Sequence, residues 1–368
     1  MKIGYRTSAL TAAAALSLSL AACTATNENP STNVPTTSNA PAALAGTLNG
    51  AGASSQESAM DAWRAGFQNA NPEVTVNYDP VGSGGGRTAF LDGAVSWAGS
   101  DSPLSGDEYT EAEGRCGAEG AINLPVYISP IAVVFNLEGV TSLNLDAETL
   151  ALIFDRKITA WNDPAIAALN PGVDLPDLRI TTVHRSDDSG TTKNFTDYLA
   201  KAAADAWPYP ANGVWPVEAG ESGEGTSGLI DVVRNTPGTI GYADASKAGS
   251  LGVVSVKVGE AFNAPSAEGA ATALASSTLA SVNGDNDLAY DLDRTTTADG
   301  AYPLLLLSYV IVCQAYDDAE EAAKVAEFLS YVASQEGQQA AALAAGSAPL
   351  PVALSAKIEE ILDEIGQA

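Results

Sequence analysis

The sequence predicts an α/β fold. Strand-like apolar runs and helix-like segments alternate along the chain, no internal repeat interrupts them, and no long disordered insert occurs beyond residue 46. Once an N-terminal signal is set aside, roughly 320 residues remain, enough for two lobes with substantial cores.

At the N-terminus, Lys2 and Arg6 precede an apolar run over residues 9–22, which ends in Leu20-Ala21-Ala22-Cys23. Residues 1–22 therefore read as an export signal, not a spanning helix. Small residues directly before a cysteine resemble a bacterial lipobox, which implies cleavage before Cys23 and a thioether-linked lipid on it. Residues 23–46, rich in Thr, Asn, Ser, Pro and Ala, read as the lipidated cysteine and a flexible tether. Folded structure is expected from about Thr47 onward.

The first globular element, Leu48-Asn49-Gly50-Ala51-Gly52-Ala53-Ser54-Ser55, leads into a helix-like run in which Ser54 and Glu57 have capping-box spacing. The alternation of Val74-Thr75-Val76-Asn77-Tyr78 predicts a strand. It is followed by Val81-Gly82-Ser83-Gly84-Gly85-Gly86-Arg87, which opens a second helix. After Trp97, the stretch Ala98-Gly99-Ser100-Asp101-Ser102-Pro103-Leu104 sets a carboxylate among small residues. Residues 146–154 predict a helix, residues 157–164 a turn, and residues 180–183 a strand. Residues 185–192, Arg-Ser-Asp-Asp-Ser-Gly-Thr-Thr, then turn into a further helix. Gly238-Thr239-Ile240-Gly241-Tyr242 reads as a short buried strand. Residues 302–313 form a longer one of about a dozen residues, too short to cross a membrane. Residues 319–345 predict an Ala/Glu-rich amphipathic helix or pair of helices.

Three Ser/Gly-rich helix starts after strand-like runs suggest convergence on an anion. A helix start leaves backbone N–H groups without intrahelical partners, and Ser189, Gly190 and Thr191 would present such groups together with hydroxyls. Arg185 adds a planar fork matched to an oxyanion. One such turn alone reads more simply as a capped surface helix. A P-loop is excluded because Gly86 is followed by Arg87-Thr88, not by Lys and then Ser or Thr, and the dinucleotide fingerprint fails where Arg87 replaces its third glycine. Asp101 beside a bound anion makes sense if the anion carries a proton, because a carboxylate accepts that O–H and repels an oxyanion that has none.

Seventeen basic residues against 45 acidic ones give a net charge of −28, and loss of Lys2 and Arg6 leaves 15 against 45, or −30. Nucleic acid is therefore not an expected partner. A buried anion is compatible with this charge, because local N–H dipoles hold it while salt screens distant carboxylates. Export permits a disulfide between Cys116 and Cys313, the alternative being two buried thiols. One His and three Cys without ligand spacing argue against zinc, and no cofactor is expected. A secreted phosphatase-like hydrolase using Ser189 or Ser83 lacks an evident base and a G-x-S-x-G elbow.

The glycine/serine turns at 50–55 and 82–86, the Asp101 stretch and residues 185–192 occur in the order found in phosphate-binding proteins of phosphate-specific ABC importers. The chain resembles that family from about Thr47 to its C-terminus, including Ile158-Thr159-Ala160-Trp161-Asn162-Asp163. The resemblance implies a two-lobed periplasmic-binding-protein fold of type II, lobes joined by crossover strands, with the ligand in the interlobe cleft. Residues 47–128 plus 304–368 would form lobe I and residues 129–303 lobe II, with apolar runs 127–134 and 302–312 at or beside the crossings. It implies a monomeric, lipid-anchored, non-enzymatic receptor that binds inorganic phosphate and delivers it to an ABC permease and ATPase. The phosphate contacts carried over are Ser54, Ser55 through its N–H, Ser83, Asp101, Arg185, Ser189, Gly190 and Thr191, with Asp187 orienting Arg185. Ser55 departs from relatives with an aromatic residue there, which removes side-chain packing over the ligand. Arg87 would either reinforce the local field or lie exposed, and His184 would be structural. The alternative ligand is another tetrahedral oxyanion such as sulfate.

Overall fold

A computed structural model describes residues 44–280 and 283–366. Cys23, the signal segment and most of the tether lie outside the described residues.

Strands β1 (Gly46–Gly52), β2 (Val74–Asp79) and β3 (Trp97–Ser100) run parallel, in the order β2-β1-β3, with helices α1 (Glu57–Ala70) and α2 (Ser83–Leu91) as the crossovers. The glycines of the 82–86 turn lie largely inside α2. That costs helix propensity, but a Cβ on Gly86 would come within 2.4 Å of the Gly52 Cα, so close packing of α2 on β1 requires it. Helix α3 (Asp107–Cys116) leads to β4 (Ala121–Phe135), which is buried along its whole length. Such a strand, covered on both faces, shows no alternation in its sequence.

The next segment alternates again, with β5 (Ser142–Leu145), α4 (Ala147–Phe154), α5 (Pro164–Leu169), β6 (Thr181–Arg185), α6 (Gly190–Ala202), β7 (Glu221–Gly223), α7 (Gly225–Asn235) and β8 (Thr239–Asp244). Asp146 caps α4 by accepting from the Thr149 N–H at 2.8 Å, and Asp163 caps α5 with Pro164 in its first turn. Here β8, β6 and β7 form a second parallel group. Strand β9 (Gly252–Val258) pairs with β4, β5 and β10 (Ala261–Asn263). After α8 (Ala267–Leu274) and a short hairpin of β11 (Thr278–Leu279) and β12 (Tyr290–Asp291), the chain returns along β13 (Leu305–Cys313). Helices α9 (Ala319–Ala333), α10 (Gln335–Ala345) and α11 (Val352–Gly366) complete the described chain, so residues 319–345 are a pair of helices.

The two parallel groups are joined through β13 and β4. Strand β4 pairs antiparallel with β13 from Ala121 to Pro130, then with β8 from Ile131 to Phe135, so a single strand serves both groups. The β4–β13 register shifts between Ser308 and Tyr309, beside Pro125, which has no N–H to offer the ladder. The carbonyl of Val126, on the bulged side, accepts instead from Gln338 Nε2 at 2.9 Å. Cys116, at the end of α3, and Cys313, at the end of β13, are disulfide-bonded with Cα atoms 5.1 Å apart.

Candidate anion-binding site

Four helix starts meet at the carboxyl ends of the parallel strands, where open α/β sheets bind their ligands. Three were expected: Ser54-Ser55 after β1, Ser83 at the start of α2, and Ser189-Gly190-Thr191 at the start of α6. The fourth is Gly225-Thr226 at the start of α7, another Gly/Ser/Thr turn after a strand. The hydroxyl of Ser54 accepts from the Thr226 N–H at 2.9 Å and lies 3.0 Å from the Thr226 hydroxyl. The capping box expected between Ser54 and Glu57 therefore does not form. Ser54 begins a 3₁₀ turn and points across the cleft, while Glu57 pairs with Lys247 at 2.8 Å.

Asp101 is the centre of the arrangement. Its Oδ1 accepts from the hydroxyls of Ser55 at 2.6 Å and Ser308 at 2.7 Å, and its Oδ2 accepts from Thr191 at 2.9 Å. Its own N–H donates to Ser83 Oγ at 3.0 Å. Burial pushes the Asp101 carboxyl up from its ordinary value of 3.8, while the three hydroxyls and the charge of Arg185 pull it back down. A carboxylate offers about four acceptor positions, and the three hydroxyls leave one on Oδ2 for a further donor.

Arg185, at the end of β6, is 3% exposed. Its Nε donates to Asp187 Oδ1 at 2.7 Å, and Nη2 pairs in parallel with Oδ2. Burial opposes ionisation of Asp187, but the Arg185 hydrogen bonds and charge, with the Gly225 N–H, win and hold its carboxyl below the usual range. The pair fixes the guanidinium plane, and Nη1 together with one N–H of Nη2 remains for a ligand. The Ser189 hydroxyl caps α6 by accepting from the Thr192 N–H at 3.2 Å, which leaves its proton free to donate. Its own N–H is spent on the Gly213 carbonyl at 3.0 Å. Among the described residues the N–H groups of Ser54, Ser55, Gly190 and Thr191 have no protein acceptor. A Cβ on Gly190 would lie 2.5 Å from Ser83 Oγ and 2.6 Å from Asp101 Cβ, so only glycine fits.

The structure brings Ser54, Ser55, Ser83, Asp101, Arg185, Asp187, Ser189, Gly190 and Thr191 together, with Thr226 and Ser308 beside them. Ser308 was missed because it lies in an apolar run, where a lone hydroxyl among buried aliphatic residues was the available signal. Arg87 is buried rather than exposed: its Nε pairs with Glu108 at 2.6 Å, and its Nη1 reaches the hydroxyls of Ser100 and Ser102, bracing the Asp101 loop. His184 stacks on Trp215, with ring centroids 5.5 Å apart, and its Nδ1 lies 2.8 Å from the Arg185 carbonyl oxygen. These contacts hold the ring, and no hydrogen bond joins it to Ser83 or Ser189. Among the described residues no group of three or more His, Cys, Asp or Glu is arranged to hold a metal ion.

Residues 37–336 match the PBP superfamily domain. The chain is 40% identical over 290 residues to phosphate-binding protein PstS3 of Mycobacterium bovis, covering 77% of this chain and 77% of the relative. It is 32% identical over 360 residues to phosphate-binding protein PstS of Xylella fastidiosa, covering 93% of each. The chain belongs to the PstS-type phosphate-binding protein family. Among solved structures, a high affinity periplasmic phosphate-binding protein bound with phosphate matches with a TM-score of 0.69 at 24% identity, over 86% of this chain and 93% of that one. A phosphate-binding protein from Stenotrophomonas maltophilia matches with a TM-score of 0.64 at 20% identity, over 86% and 94%. These likenesses establish the two-lobed periplasmic-binding-protein fold. The PstS-type family is one of substrate-binding proteins, not enzymes.

Proposed function

We propose that this PstS-type chain captures inorganic phosphate outside the cytoplasm and delivers it to a phosphate-specific ABC importer. The observation that carries the reading is the Asp101 carboxylate, held by three buried hydroxyls with one acceptor position left, beside an Arg185 fork with unused donors. Phosphate supplies at neutral pH both the oxyanion that Arg185 and the helix N–H groups require and the O–H that Asp101 requires. Fully ionised sulfate offers no such proton and would face an uncompensated carboxylate. The ligand contacts in this reading are Ser54, Ser55, Ser83, Asp101, Arg185, Ser189, Gly190 and Thr191, with Asp187 orienting Arg185.

Residues 47–128 plus 304–368 form lobe I in this reading, and residues 129–303 form lobe II. The change of β4 partner between Pro130 and Ile131 supports that boundary. Contacts such as Ser54 to Thr226 and Asp101 to Thr191 then bridge the lobes and belong to the closed state that ligand stabilises. PstS-type binding proteins are extracytoplasmic. A lipid on Cys23 would tether a monomeric receptor beside its permease and ATPase.

Calorimetric titration of the chain from residue 24 onward, stripped of carried ligand, tests this reading. One-to-one phosphate binding with sulfate silent is the expected result. Sulfate binding would transfer the assignment to another oxyanion, and silence with both would overturn it.

A further inference from the structure

Asn194, one turn into α6, has every polar atom of its buried side chain engaged. Its Nδ2 donates to the Asp101 carbonyl at 2.6 Å and to the Gly190 carbonyl at 2.9 Å, while its Oδ1 accepts from Arg294 Nη2. The amide orientation follows from the chemistry, because a guanidinium only donates and a carbonyl only accepts. Arg294, also buried, donates through Nε to Asp197 at 2.9 Å and through Nη1 to the carbonyls of Pro303 at 3.0 Å and Leu305 at 2.9 Å. It thereby ties α6 to the segment that enters β13.

We infer that Asn194, anchored by Arg294, is a closure latch: it fastens the Asp101 loop of one lobe to the α6 start of the other through main-chain atoms, without contacting the phosphate itself. The inference rests on the phosphate-receptor reading and adds a positioning residue to it. Two ligand-contacting elements share one side chain, so Asp101 and the N–H groups of Gly190 and Thr191 reach ligand geometry together. The Asp101 carbonyl bond crosses between lobes and exists only after closure. Its loss therefore acts on the escape of bound phosphate, not on the initial encounter, as interface changes generally act on dissociation.

Stopped-flow release of phosphate into a trap, with association measured in parallel, tests this on wild type, Asn194→Ala and Asn194→Asp. Of the three bonds that Asn194→Ala removes, the one to the Asp101 carbonyl crosses the lobes, and its loss should speed release by about tenfold, with association unchanged within about twofold. Asn194→Asp keeps the size but sets oxygen against two carbonyls, so its release should be faster still. Thermal unfolding of the ligand-free protein should fall somewhat in both, because the Gly190 and Arg294 contacts lie within one lobe, so release is compared at a temperature where each variant is fully folded. Release unchanged in the variants, or a loss confined to association, would overturn the latch. Should Asn194→Ala fail to fold, the isosteric Asn194→Asp decides. A wild type that does not bind phosphate would overturn the receptor reading instead, which keeps the two failures apart.

Discussion

Replacing Ser308 by alanine removes one of the three hydroxyls that hold the Asp101 carboxylate. Ser308 is fully buried and donates to Oδ1 at 2.7 Å, so water does not take the place of the lost donor. A hydrogen bond to a charged group contributes about 1.5–3 kcal/mol, and the ionised form of Asp101 loses that much while the change in volume is a single oxygen. Burial already raises this carboxyl above its ordinary 3.8, and the variant raises it further. For stability, the contribution of Asp101 is full below 3.8 and is lost as pH rises through the folded-state value, so Ser308→Ala moves that loss to higher pH. For binding the sign is opposite, because only ionised Asp101 accepts the ligand O–H. Phosphate affinity falls as pH drops through the folded-state value, and in Ser308→Ala that acidic fall begins at higher pH. Calorimetric titrations from neutrality downward should show the displaced fall, with affinity near neutrality weaker by about tenfold. Superimposable pH profiles for the two proteins would refute the role given to the hydroxyl triad.

Asp101→Asn should weaken phosphate and admit sulfate, narrowing their ratio by about tenfold or more, because an amide N–H faces a fully ionised oxyanion favourably; competition titration measures the ratio. Arg185→Ala should lower phosphate affinity by about hundredfold or more, since it deletes the guanidinium and strands Asp187. Circular dichroism should show its fold intact. Gly190→Ala should abolish closure while leaving the ligand-free fold, because its Cβ would lie 3.0 Å from Asp101 Cα, in backbone that cannot step aside. Small-angle scattering should then detect no compaction with phosphate, in contrast to wild type.

Much of the site was legible because strand-to-helix turns have a local grammar. Ser189-Gly190-Thr191, Ser83 and Ser54-Ser55 announce exposed N–H groups by residue type and position, and Asp101 stands out among small residues. Thr226 followed the same grammar in Gly225-Thr226-Ser227-Gly228 and was overlooked because its preceding strand, β7, is only three residues long. Ser308 and Asn194 were not legible in that way. Their roles arise from tertiary geometry: a register shift aims Ser308 at a carboxylate 207 residues away in sequence, and Asn194 reaches Asp101 across a separation of 93. The alternating α/β pattern predicted the strands and helices of each parallel group. It did not show the full extent of β4, whose burial on both faces erases periodicity; only the resemblance put the apolar run 127–134 near the crossing between the lobes.

Diffraction from crystals grown with phosphate would locate the anion relative to Asp101 and Arg185. One tetrahedral density should lie within hydrogen-bonding reach of Asp101 Oδ2, the Arg185 guanidinium and the N–H groups of Ser55, Gly190 and Thr191. Phosphate bound elsewhere, or a cleft that closes on Asp101 with no anion in it, would show that Asp101 and Arg185 do not hold the ligand.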